Sequence, residues 1–218
     1  MRVGGAHLGY CTNIHAGETW SEIRRNLGRY LPEVKRRVSA DAPFGVGLRL
    51  SAVAAESLSA PDTLEEFARF LREQGLYVFT INGFPYGPFH GTRVKEGVYR
   101  PDWRDEARLA YSNRLADLLA VLLPSDADAP GSVSTVPGAF RTGRRIVLGL
   151  EPEPCCLLET VDETVEFFRQ HLHSSAAAAR LAQLAGLGAG EALEALHGHL
   201  GVCLDLCHAA VEFEDPAG

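Results

Sequence analysis

The run Arg145-Ile-Val-Leu-Gly-Leu-Glu151-Pro-Glu-Pro154 constrains this chain more than any other stretch. It is short, almost wholly apolar, ends in a carboxylate and is then stopped by two prolines. Such a run reads as a strand buried on both faces, the kind found in parallel sheets. In alternating phase Ile146, Leu148 and Leu150 point one way and Val147, Gly149 and Glu151 the other. Proline does not continue a central strand, so Glu151 falls at its carboxyl end, where α/β barrels keep their chemistry. A glutamate that caps the strand or salt-bridges a neighbour fits the same pattern.

Strand and helix signals alternate along the chain. Leu8–Asn13, Gly45–Ser51, Tyr77–Asn82, a weaker Ser132–Val136, the opening run and Gly201–Leu206 read as strands. Between them lie helices. One is entered at Thr19-x-x-Glu22 and one at Ser59 and Pro61; a third covers Arg104–Leu123 and a fourth starts at Thr160-x-x-Glu163. Ala-rich helical segments fill Ser175–Leu200. Alternation of this sort predicts βαβ units and a parallel sheet in one α/β domain over residues 1–218. In the phase assigned to the interior, the strand tips carry Asn13, Arg49 and Ser51, Asn82, Glu151 and Asp205. The opposite phase is apolar, as helices covering a sheet require. The pattern describes a polar mouth over a packed barrel.

With 218 residues the chain is long enough for one sizeable core. A net charge of −7 argues against a nucleic-acid backbone as partner. Five scattered cysteines do not make a secreted disulfide framework. No signal-like or membrane-spanning apolar stretch is visible, which points to the cytoplasm.

Gly201-Val-Cys-Leu-Asp205-Leu-Cys-His208 is the second anchor. A Glu on one strand tip and an Asp-x-x-His on the next place hard oxygen donors beside an imidazole. That set suits Mn²⁺, Mg²⁺, Co²⁺ or Zn²⁺; a structural hydrogen bond from Asp205 with His208 as its cap fits equally. His15 and Glu18 follow the first strand, and His90 lies with Tyr86 and Phe89 in a long Gly/Pro/aromatic loop from Gly83 to Trp103. Such a loop can close over a ligand. Arg49 would hold a phosphate or carboxylate, or form a buried salt bridge to Glu151. Lys95 reads as a solvated charge. Cys155–Cys156 and Cys203/Cys207 read as small apolar core residues rather than a zinc site. His171/His173 and His197/His199 read as solvated helix-end residues. The Gly186, Gly188, Gly190 pattern follows no strand, so it is no dinucleotide fingerprint.

Leu150-Glu-Pro-Glu-Pro and Gly201-Val-Cys-Leu-Asp-Leu-Cys-His-Ala209 resemble the xylose isomerase-like TIM-barrel superfamily, which holds sugar isomerases, ketose epimerases and endonuclease IV-type repair enzymes. Thr12-Asn-Ile-His-Ala-Gly-Glu-Thr-Trp20, Asn82-Gly-Phe-Pro-Tyr-Gly-Pro-Phe-His90-Gly, Ser134-Thr-Val-Pro-Gly-Ala-Phe140 and Leu150-Glu-Pro-Glu-Pro-Cys-Cys-Leu-Leu-Glu-Thr160 are similar to the EboE group within it, proteins described as acting in secondary-metabolite traffic. The resemblance covers nearly the whole chain. It implies metal-assisted isomerisation or epimerisation of a sugar-like polyhydroxy carbonyl compound. By that resemblance Glu151 and Asp205 would be the metal carboxylates and His208 a substrate contact. His15, Arg49, Asn82 and His90 are placed at the expected mouth by their positions; the expectation is Glu151 and His208 as catalytic residues and His15, Arg49, Asn82, His90 and His208 as substrate contacts. A non-catalytic small-metabolite carrier on the same barrel is the alternative; a repair-type phosphodiesterase is disfavoured by the acidic balance.

Two departures from the superfamily stand out. Glu153 replaces the lysine of the isomerases' Glu-Pro-Lys-Pro, so that lysine's role does not carry over. The sequence also ends at Gly218, before the later strands that supply a histidine and a glutamate ligand. Only Pro137–Arg144 separates the fourth strand from the opening run, too little for a crossover helix. The expectation is therefore an incomplete (β/α)8 barrel of about six βα units, with the fourth helix missing and the last two units absent. Open sheet edges would invite self-association, and the chain reads as a truncated or decayed family member or a fragment of a larger reading frame.

Overall fold

In a computed structural model, residues 2–3, 6–88, 90, 100–101, 105–125, 130–134, 146–153 and 157–214 are described. Lys95, Phe89, Pro154, Cys155, Cys156 and the short crossover Pro137–Arg144 lie outside them, as does most of the Ser134–Phe140 motif. The chain divides into two compact units, Met1–Ile146 and Val147–Gly218.

The first unit opens with a small antiparallel pair, β1 (Arg2–Val3) and β2 (Ala6–His7). Its main sheet holds β3 (Gly9–Cys11), β4 (Phe44–Arg49), β5 (Leu76–Asn82) and β6 (Gly131–Ser134), side by side in chain order and all parallel. Helices α1 (Trp20–Val38), α2 (Ala52–Leu58), α3 (Pro61–Glu73) and α4 (Glu106–Leu122) make the connections. An order that never reverses, with right-handed crossovers, puts every connecting helix on one face. This is compatible with part of an α/β barrel and differs from a doubly wound sheet, which reverses at a switch point.

Simple alternation puts Val78, Thr80 and Asn82 in one phase, but the β4–β5 register shifts between Val46 and Gly47, so Val78 pairs with Val46 and Thr80 with Gly47, in opposite phases. Val46, Leu48, Val78, Ile81 and Val133 are fully buried, together with Leu27, Leu31, Leu58, Phe67, Leu115 and Leu119 from the helices. The opposite phase of the sheet is polar and small: Thr80 and Ser132 are hydrogen-bonded at 2.8 Å across β5 and β6. Helix α1 starts as the sequence predicts. Thr19 accepts from the Glu22 backbone N–H while the Glu22 carboxylate accepts from the Thr19 N–H at 3.0 Å, a reciprocal cap that satisfies two otherwise orphaned donors. The short helix α2 has no counterpart in the sequence reading. Ser51 caps it, accepting from the Ala54 N–H at 3.1 Å, and its Ala-rich sequence fits a helix packed between α1 and α4.

The second unit contains a parallel pair, β7 (Ile146–Leu150) and β8 (Leu200–Val202), in the register Leu148↔Leu200, Gly149↔Gly201, Leu150↔Val202. Between them run α5 (Val161–Phe167), a π-helical turn Phe168–Leu172, α6 (Ser175–Ala185) and α7 (Ala189–His199). A last helix, α8 (Leu206–Val211), follows β8. The sequence reading ran this last strand on to Leu206. It stops at Val202 because Asp205 caps a helix, its Oδ1 accepting from the Cys207 N–H at 2.7 Å. Cys203 is half-buried and Cys207 exposed, so neither is the core residue expected. Among the described residues no helix is long and apolar enough to cross a membrane.

Candidate metal centre

Residues proposed for the site occur in both units, and each group has its own local geometry. In the first unit Arg49 is the organising side chain. Strand β4 ends at Arg49, which is 3% exposed. One terminal nitrogen donates to the Gly17 carbonyl at 2.8 Å; the other donates to Glu18 Oε2 at 3.0 Å and to the Gly87 carbonyl at 3.1 Å. The Arg49 backbone N–H donates to Thr12 Oγ1 at 2.9 Å. The guanidinium thus ties the loop after β3 to the loop after β5. Its carboxylate partner is Glu18, where the sequence reading allowed Glu151 or a ligand anion.

His90 joins the same knot. Its Nε2 donates to the Asn13 carbonyl at 2.8 Å, and its Nδ1 lies 3.9 Å from Glu18 Oε1. His15 stacks on Tyr30 of α1 at 4.2 Å with planes 3° apart, and its Nε2 pairs with the Tyr10 hydroxyl at 3.1 Å. Burial first, and the nearby His90 second, hold the His15 pKa below the ordinary histidine value. Asn82 ends β5, and its Oδ1 accepts from the Phe84 N–H at 2.9 Å, starting the glycine-rich loop. The four substrate-contact candidates of this unit therefore each engage their own chain.

The second unit gathers a different set. Donor atoms of Glu151, Glu153 and His208, one from each residue, all lie within 4.8 Å of one another. Glu151 follows β7 directly. In the extended backbone after a strand, residues i and i+2 face the same way, so Glu151 and Glu153 present their carboxylates together. The Glu153 N–H donates to the Leu158 carbonyl at 3.0 Å. On the other side, the Cys203 N–H donates to the Leu150 carbonyl at 2.7 Å, extending the β7–β8 register by one step. Gly149 suits this approach: a Cβ there would meet the Cys203 nitrogen at 3.2 Å and its Cβ at 3.3 Å.

His208 comes from α8, one turn after the Asp205 cap, and not from a loop as the sequence suggested. Its Nδ1 lies 3.2 Å from the Pro152 carbonyl and 3.7 Å from Glu151 Oε1. A carbonyl only accepts, so Nδ1 carries a proton, and a cation shared with the carboxylates would be taken at Nε2. The chemistry of the donor set therefore fits a divalent cation, with two hard oxygens and one borderline nitrogen.

Electrostatics agree with that fit. The Glu151 pKa is raised, chiefly by burial and next by the neighbouring Glu153; Asp205 adds to the rise, while His208 and a hydrogen bond from the Cys203 side chain oppose it. Asp205, the other expected carboxylate ligand, stands outside the three-donor group. Burial raises its pKa, but the N–H groups of Cys207 and His208 and the His208 ring outweigh this, leaving it below the ordinary value. Glu153 is the functional candidate that the sequence reading set aside, although Glu-x-Glu at a strand end was the available signal.

Neither a family model, a curated protein nor a solved structure matches the chain.

Proposed function

We propose that this chain is a xylose isomerase-like α/β-barrel protein of the EboE type, acting on a sugar-like polyhydroxy carbonyl compound in secondary-metabolite traffic. The reaction would be divalent-cation-assisted isomerisation or epimerisation. One observation carries the reading: Glu151, Glu153 and His208 meet at the carboxyl end of the parallel pair β7–β8.

Mn²⁺, Mg²⁺, Co²⁺ or Zn²⁺ would be held by these three side chains, supplying Lewis-acid stabilisation for a carbonyl oxygen that gains negative charge. The residues do the rest. Glu151 has two oxygens, so one can serve the cation while the other takes a proton from a carbon acid and returns it to the neighbouring carbon. Without a cation, burial and Glu153 raise its proton affinity; a bound cation would lower it again. The Pro152 carbonyl fixes the His208 ring at Nδ1, which leaves Nε2 for the cation.

Incubation of the chain with polyhydroxy ketones and aldoses in D2O, with each of the four cations, tests the reaction. The expected result is cation-dependent deuterium incorporation beside the carbonyl, followed by NMR and lost in Glu151→Gln. Absence of exchange with every cation, alongside metabolite binding indifferent to chelator, would replace this reading with the non-catalytic carrier.

A further inference from the structure

The π-helical turn Phe168–Leu172 leads into His173, whose ring stacks on that of His197 in α7, with centroids 4.1 Å apart and planes 16° from parallel. The Phe168 ring meets the His173 ring edge-on at 5.2 Å. A ring N–H of His173 is bonded to the Leu196 backbone, while its Nε2 is buried and has no hydrogen-bond partner among the described residues. The proton therefore sits on Nδ1. A second proton could go only to Nε2, where it would lack an acceptor and lie in contact with another imidazole. Both features penalise the cation. Their helix-end positions predict solvated histidines; His173 and His197 instead form a packed, directional contact.

Position in the chain gives the contact a consequence. His197 lies in the last turn of α7, β8 begins at Leu200, and Asp205 and His208 follow it. We propose that the His173–His197 stack is an acid-sensitive latch that keeps the end of α7 on the π-helical turn, so that its release loosens β8 and the cation donors beyond it. Only the last step rests on the metal reading above.

The elements packed around His173 offer little to offset its protonation. From α7 the facing titratable group is His197, with Glu194 and His199 on the same helix. The π-helical turn carries Arg169 and His171, the latter lying against the Phe167 ring at 5.1 Å. In α6 the one charge is Arg180, bonded to Gln183 at 3.1 Å. On α5, Asp162 and Glu163 lie in the first turn, and the Glu166 carboxylate is bonded by Gln170. Burial, and then His197, hold the His173 pKa below its ordinary value. Unfolded, the same ring takes its proton near pH 6.5. The latch thus contributes in full above that pH and is lost as pH falls through the lowered pKa of the folded state.

Proton-detected ¹⁵N correlation of the histidine rings, with amide hydrogen exchange on the whole chain without added cation, tests the latch. The expected result is an Nδ1–H tautomer for His173, titration below the ordinary histidine value of 6.5, and α7 protection that drops about tenfold more than α4 protection between about pH 7.5 and 5, after correction for intrinsic exchange. In His197→Phe, which keeps a stacked ring without its charge, the extra drop shrinks. Titration of His173 at the ordinary histidine value of 6.5, or α7 and α4 protection moving in step, would overturn the proposal. Because no cation is present, that failure would leave the metal reading standing. If instead the latch behaves as stated and cation affinity is the same at pH 7.5 and 6 once direct proton competition is allowed for, the coupling to the site is wrong.

Discussion

Replacing Arg49 with Met is expected to destabilise the protein by about 3–4 kcal/mol, the largest stability effect of any single substitution considered. Arg49 is 3% exposed and bonds two carbonyls and the Glu18 carboxylate. Methionine fills most of the volume but donates nothing, so the Gly17 and Gly87 carbonyls and the Glu18 carboxylate each lose a donor. An abandoned acceptor costs about 1–3 kcal/mol when buried, and all three of these bonds are part-buried, so each falls toward the low end. Glu18 is 28% exposed, so water recovers part of its share, which keeps the total below that of a fully buried broken ion pair. For a chain of this length each kcal/mol lowers Tm by about 2–4 °C, so differential scanning calorimetry should find a drop of about 10 °C. Glu18→Gln, which still accepts a hydrogen bond, should cost less than half as much. An Arg49→Met variant within 2 °C of the parent, set against that expected drop of about 10 °C, would mean that the three bonds contribute little net stability.

Glu151→Gln is expected to move stability in opposite directions with and without cation. Burial and the Glu153 charge raise the Glu151 pKa in the folded chain. The unfolded chain then loses its proton first, and at neutral pH the ionised carboxylate works against folding; this penalty is absent at pH below the unfolded value of 4.5 and grows as pH rises through the raised folded one. Removing the charge should therefore raise the Tm of the cation-free protein at pH 7 and leave it nearly unchanged at pH 4. With Mn²⁺ at a hundred times its Kd the parent should gain about 2.7 kcal/mol, or roughly 5–10 °C. Most of that gain should vanish in the variant, since a ligating carboxylate has become a weakly donating amide. Equal Mn²⁺-induced shifts in parent and variant would remove Glu151 from the cation site.

Much of this was legible in the sequence because it depends on short-range rules. The apolar run before Glu151 has one sensible conformation, and two prolines mark where it ends. Thr19-x-x-Glu22 and Thr160-x-x-Glu163 announce caps that are present with both reciprocal bonds. Where the reading went astray, two local signals competed. Asp205 can be read as a strand-tip ligand, but Asp before Leu-Cys-His-Ala-Ala-Val is equally a helix cap, and the cap won, moving His208 from a loop onto α8. Glu153 was judged by its departure from a family pattern, although its spacing from Glu151 already placed both carboxylates on one side.

Other features could not be read from local sequence at all. The Arg49 knot requires residues 17, 18 and 87 to converge on one guanidinium, and no periodicity encodes that convergence. The stack of His173 on His197 likewise depends on how the π-helical turn meets α7. Arg49 and Asn82 do end strands, while Asn13 lies in a 3-10 turn and Asp205 caps a helix; what any of them holds is a tertiary fact.

The central claim is that Glu151, Glu153 and His208 hold one cation. Pulsed electron paramagnetic resonance of the Mn²⁺-loaded whole chain tests it most directly, because it detects imidazole nitrogen bound to the ion. The account predicts one bound Mn²⁺ per chain with nitrogen modulation, which disappears in His208→Ala while weaker, carboxylate-held Mn²⁺ remains. Stoichiometric Mn²⁺ without a nitrogen signal, or a signal unchanged in His208→Ala, would contradict it.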